Sequence, residues 1–128
     1  MELLELLITA GLVVLIWLIQ VLHYPTFLFV HREAFARFEA FHTRRISVIV
    51  IPLMLAEVAL ALANPRPLVA CLVALVWLST FLLQVPCHNK LATGFDEATV
   101  RRLIRTNWIR TVLWSLKLGL LGYLWRTT

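Results

Sequence analysis

Three histidines, three amides and two arginines sit beside or within long apolar runs, at helical spacing. Trp17, Gln20 and Tyr24 follow the i, i+3, i+7 pattern with His23 beside them. His42, Arg45, Ile49, Leu53 and Glu57 keep to one broad face. Trp77, Thr80, Gln84 and His88 make a third stripe, provided Pro86 kinks the helix without ending it. Asn107, Arg110, Thr111, Trp114 and Lys117 make a fourth. Three imidazoles from three segments, His23, His42 and His88, can hold one divalent or redox metal. Two of them can instead bracket a haem, with Arg45 or Arg110 near its propionates. Without any cofactor, the amides and Arg110 can orient an organic substrate and stabilise an enolate or phenolate while a histidine moves the proton. All three chemistries stay open at this point. The catalytic candidates are His42, His88, Asn107, Arg110 and Glu57. Gln20, His23, Tyr24, Arg45 and Gln84 are the candidates for contacting a ligand or cofactor.

The elements that must position these groups follow from composition. Of 128 residues, 61% are hydrophobic and 15% charged, with a mean hydropathy of +0.86. A soluble domain of this size leaves much of its chain wet and could not hide so many apolar side chains. The expectation is an all-α integral membrane protein: one domain over residues 1–128, a four-helix bundle of antiparallel up-down topology. Its spans run from Leu6 to Leu22, Ile46 to Ala63, Leu68 to Val85 and Trp108 to Trp125, each near the roughly 20 residues that cross a bilayer. Asn64-Pro65-Arg66-Pro67 is a tight turn between spans two and three. No repeat with a period of 20–50 residues is visible. The N-terminus, with Glu2 and Glu5, lacks the basic start and small-residue cleavage site of a signal peptide.

Arg32, Arg37, Arg44 and Arg45 lie in one connection and Lys90, Arg101, Arg102 and Arg105 in another, against Arg66 and Arg126 on the opposite side. By the positive-inside rule both termini are extracytoplasmic in a bacterial-type inner membrane. The same placement accounts for the net charge of +5 and a pI near 10.0. These charges flank apolar spans, so they rest against anionic lipid headgroups and make no nucleic-acid interface. Under this topology most of the polar stripes converge near the cytoplasmic end, as a pocket between four helices.

Plainer roles compete with these. His31, in a charged connection, reads as interfacial; Arg45 and Arg110 can snorkel to phosphates; Trp17, Trp77 and Trp114 can simply pack. Glu57 and Lys117 lie about 14–17 Å deep by helical rise. There an unpaired charge is costly, so they read first as an ion pair, with a functional carboxylate as the other option. Cys71 and Cys87 are about 24 Å apart along one helix and cannot bond to each other. Glu39-Ala40-Phe41-His42 has the Glu-x-x-His spacing of di-iron bundles, but no second copy accompanies it.

Val85-Pro86 followed by Asn89 and Leu91, a short charged stretch, and then Asn107-Trp108-Ile109-Arg110-Thr111 resembles the anthrone-oxygenase-like family over about the last third of the chain. That resemblance implies a small four-helix membrane protein. Named members of the family oxidise polycyclic anthrones with molecular oxygen, with no established metal or organic cofactor. It carries Asn89, Asn107 and Arg110 over as family positions. Gln20-Val21-Leu22-His23-Tyr24-Pro25, and Phe41 to Arg45 on through Pro52 and Glu57, look like a histidine-rich bacterial sister group. The leading expectation is therefore an oxidoreductase or oxygenase-like membrane protein acting on a small lipophilic substrate. The alternative is a haem- or metal-binding or small-molecule carrier subunit without catalysis of its own, in which a homodimer would supply the missing half. A third is an accessory protein whose stripes only bind helix to helix.

Overall fold

The computed structural model describes residues 1–127. Among them there is no strand, and 91% of the chain is helical, in four long helices. These are α1 (Glu2–Phe29), α2 (Arg32–Ala63), α3 (Pro67–Leu91) and α4 (Glu97–Thr127). Each helix runs beyond the apolar span expected of it. The connection drawn over residues 23–45 is mostly helix, and the stretch carrying Glu39 and His42 continues unbroken into the apolar part of α2. The helix also passes through Pro86, so His88 keeps its place on the Gln84 face.

The first three helices are long and apolar enough to cross a membrane; α4 is not among them. The fourth span expected between Trp108 and Trp125 therefore lacks that support. The reason is visible in its sequence, where Arg110 and Lys117 interrupt the apolar run. Both of these charges are buried inside the bundle.

Each of α1 and α3 contains one π-helical turn, Ile19–His23 and Thr80–Gln84, followed closely by Pro25 and Pro86. A proline cannot donate to the carbonyl one turn back and its ring crowds that turn, and a widened turn relieves both. These turns carry Gln20 and Gln84. The repetition continues past the connections, where Glu33-Ala34 and Arg37 before the body of α2 match Glu97-Ala98 and Arg101 of α4. The two halves are thus alike in outline and not in exact register, since Gln20 and Gln84 take different places in their π turns.

α1 packs against α2 and, most extensively, α4; α3 completes the ring between α4 and α2. In the two-halves plan, the α2–α3 contact corresponds to the α1–α4 contact, but it is the looser of the two. The interior has two apolar clusters. Ile19, Tyr24, Phe27, Phe35, Cys87, Leu91, Val100 and Leu103 form one, and Leu12, Ile16, Met54, Val76 and Trp114 the other. Thirteen buried residues are polar or charged, whereas Leu7, Val14, Val21, Val48, Leu62, Leu82 and Leu116 face outward. Polar groups inside and aliphatic groups outside is the distribution suited to a hydrocarbon surround.

Two short connections cap the end of the bundle where α1 leads to α2 and α3 to α4. Gly94 has φ +145°, a conformation that side chains disfavour, and closes the turn after α3. Arg32 lies 3.3 Å over the Phe95 ring, tying the two connections together. Asp96 caps α4 by accepting from the Thr99 amide at 3.0 Å and from the Thr99 hydroxyl. Those hydrogen bonds, with Lys90 nearby, hold the Asp96 carboxyl below its usual range. A lowered folded-state pKa means that the cap is fully present above the unfolded value, about 3.9, and is lost as pH falls through the folded one. Amide exchange at Thr99 should therefore show an added opening on acidification that Asp96→Asn, which keeps an acceptor without the charge, does not.

Candidate functional site

One set of interior polar groups forms a chain of contacts. The π turn of α1 directs Gln20 inward, where its Oε1 accepts from Asn107 Nδ2 at 2.9 Å and from the Thr111 hydroxyl, while its Nε2 donates to the Ile104 carbonyl. Asn107 Oδ1 accepts twice from Arg110, from Nε at 3.0 Å and Nη2 at 2.7 Å. Arg110 Nη1 reaches Thr80 Oγ1 at 3.5 Å and Nη2 donates to Tyr24 Oη at 3.3 Å. Tyr24 Oη in turn lies 3.0 Å from His88 Nε2, and His88 Nδ1 lies 2.5 Å from Glu39 Oε1. Glu39 Oε1 also accepts from Thr43. A carboxylate, an imidazole and a phenol thus stand in series with a guanidinium at the far end. Tyr24 and His88, each four residues after the glutamine of its half, meet in the middle.

His23 Nε2 and His42 Nδ1 are 2.6 Å apart, so one donates and the other accepts. The His42 ring stacks at 5.6 Å on that of His88. Three buried atoms in and around this assembly find no hydrogen-bond partner among the described residues: Glu39 Oε2, His42 Nε2 and Trp77 Nε1.

A cavity of about 310 Å³ opens between α2 and α3. Its walls are largely apolar, among them Ile16, Ile46, Val50, Met54 and Phe81; Thr43 and Ser47 of α2 also line it, and facing them are Tyr24, Thr80, Gln84, His88 and Arg110, with Asn89 exposed at the rim. It occupies the loosely packed α2–α3 contact, so the departure from two-fold likeness is what makes room for a ligand.

A second polar group lies toward the other end. Lys117 Nζ is 2.7 Å from Glu57 Oε1, and Trp114 Nε1 donates to both Glu57 oxygens at 3.1 and 3.2 Å. Lys117 also donates to Thr9 at 3.1 Å and lies 4.0 Å from Glu5 Oε1, and Glu5 pairs with Arg66. The expected Glu57–Lys117 pair is present, but it is half of a quartet with balanced charge, in which Glu5, Glu57 and Lys117 are buried and Arg66 is partly exposed. Starting the first span at Leu6 had left Glu5 in the tail; α1 begins at Glu2, and Glu5 is buried. Arg66, expected with Arg126 on the side opposite the basic connections, takes part in this quartet through Glu5.

Among the sequence candidates, Gln20, Tyr24, His88, Asn107 and Arg110 are joined by direct contacts. Gln84 lies beside them, accepting from Ser79 and donating to Thr106. His23 and His42 join through each other and the His88 ring. Arg45 stands apart, exposed and 5.3 Å over the Phe41 ring, and Glu57 belongs to the quartet. Trp17 is turned outward and donates to Ser115. The residue that sequence reasoning passed over is Glu39. Its signal was the Glu-x-x-His spacing, set aside because it was weighed only as a di-iron motif. As placed, the imidazoles engage one another, Glu39 and Tyr24, and among the described residues no three His, Cys, Asp or Glu side chains are set to hold a metal ion. Comparison with known protein families, with curated proteins and with solved structures gives no match.

Proposed function

We propose that the chain is a membrane-embedded, oxygenase-like oxidoreductase that takes a small lipophilic, ring-bearing substrate into the α2–α3 cavity and removes a proton from it. The observation that carries this reading is the series Glu39–His88–Tyr24–Arg110 ending on a largely apolar cavity. Glu39 accepts the His88 Nδ1 proton and so leaves Nε2 as the base. That nitrogen draws the proton of Tyr24, and the tyrosine oxygen can take one from a substrate hydroxyl or enolisable carbon. Arg110 beside the same oxygen, aimed by Asn107, favours the anion that results. Molecular oxygen is the electron acceptor that the family resemblance implies. The protein's own share is to bind, orient and move the proton.

In this reading all four helices cross a bacterial-type inner membrane in up-down order with both termini outside. α4 crosses because its charges face partners within the bundle, which removes most of their cost in hydrocarbon. The cavity mouth then faces lipid, the source of the substrate. The test is oxygen uptake by purified protein in micelles supplied with electron-rich bicyclic phenols. Uptake should saturate and be abolished by Ser47→Trp, which fills the cavity from its wall. Uptake equal to that of empty micelles, or unaltered by Ser47→Trp, would contradict the reading.

A further inference from the structure

A second, smaller cavity of about 240 Å³ is lined by His23, Phe38, Phe41, His42, Arg45, Ile46 and Ile49. The first cavity is lined by His88 and Tyr24 but by neither His23 nor His42. His42 lines the second cavity, and its Nε2 and the Oε2 of Glu39, one turn earlier on the buried face of α2, are both unpartnered among the described residues. His42 is 5% exposed, and leaving two buried polar atoms unsatisfied costs a few kcal/mol. A single water with its two O–H groups can satisfy both where both are acceptors, and His42 Nε2 is an acceptor when Nδ1 carries the proton toward His23.

We propose that His23, His42 and Glu39 form a proton relay that joins the His88–Tyr24 pair to the second cavity, so that a proton taken up in the first cavity leaves by another route than the substrate's. The inference rests on the proposed proton abstraction. A proton passes from Tyr24 Oη to His88 Nε2 as the His88 Nδ1 proton moves to Glu39 Oε1. The carboxyl of Glu39, now protonated, rotates so that its O–H takes the place of Oε2 and donates to the water, which turns to accept that proton and passes one of its own to His42 Nε2; the Nδ1 proton of His42 moves to His23 Nε2, and His23 gives up its own Nδ1 proton to water in the second cavity. Each hop breaks one bond to hydrogen and makes one, and no electrons change hands. The separation is useful chemically. The substrate side can stay dry and apolar while the proton leaves beside Arg45, which is exposed.

The measurement is exchange of the histidine ring N–H protons with water, followed by NMR on ¹⁵N-histidine-labelled protein in micelles. A relay makes the buried His42 ring and the half-buried His88 ring exchange through His23. His23→Phe and His23→Gln should therefore slow exchange at both at least tenfold, the second variant keeping a hydrogen bond to His42 while being unable to pass a proton on. His31→Gln should change neither. If His23 only plugs a static cluster, its loss admits water and exchange is unchanged or faster, which overturns the relay. Oxygen uptake and cavity binding are read separately, so failure of the relay is distinguishable from failure of the proposed function.

Discussion

Lys117→Met should destabilise the bundle more than any other single change within the Glu5–Glu57–Lys117–Arg66 quartet. The substitution keeps most of the stem's volume but leaves Glu57 and Glu5, both buried, with one cation, Arg66, to share. Breaking a buried pair by removing one partner costs about 3–5 kcal/mol because the remaining charge is uncompensated. Adding Glu57→Gln removes that charge while keeping an acceptor for Trp114, and leaves Glu5 with Arg66 as a balanced pair. The double variant should therefore recover most of the loss. Unfolding measured in bicelles for both single variants and the double variant gives the coupling directly. Equal and additive losses would mean that the quartet is not a unit.

Arg110→Gln should leave the cavity intact but remove its preference for an anion. With 2-naphthol as the probe, held above pH 10 so that the ligand is anionic, affinity should fall about 10- to 150-fold, the equivalent of one charge-assisted hydrogen bond of about 1.5–3 kcal/mol. Naphthalene, which has the same rings and no oxygen, should bind both proteins within about twofold, since its contacts are Ile46, Val50, Met54 and Phe81. Parallel loss of both ligands would show that Arg110 serves the fold alone. The arginine holds Asn107 through two bonds, so the naphthalene control is what separates these outcomes.

Much of this arrangement is legible along the chain because helices impose a period on it. Gln20, Tyr24, His88, Asn107 and Arg110 lie on stripes of helical spacing, and the structure joins them through those faces, with Gln84 beside them. The ends of the apolar runs were poorer guides. α2 starts well before Ile46 because Arg37, Arg44 and Arg45 lie on its outer side, so a charged stretch that looks like a loop is a helix with one buried face carrying Glu39 and His42. Glu5 was masked for a similar reason, since hydropathy places a helix start where apolar residues begin, at Leu6, whereas pairing with Arg66 and Lys117 lets the carboxylate just before it sit inside the bundle. The π turns could not be read from composition. They depend on how each chain relieves its proline, and they shift the register by which Gln20 and Gln84 are presented. Which helix pair stays apart, and so where the cavity lies, is a property of packing between halves that share a plan but not their side chains.

The acidity of bound 2-naphthol tests the assignment of the cavity most directly. Its neutral and anionic forms differ in absorbance, so a pH titration in micelles with and without protein reads the ionisation of the probe where it sits. An oxygen placed against Tyr24 and Arg110 is expected to ionise at least one pH unit below its value in empty micelles, and Arg110→Gln should abolish the shift. A bound probe that is harder to ionise than in empty micelles, as burial among apolar walls alone would make it, would contradict the site described here.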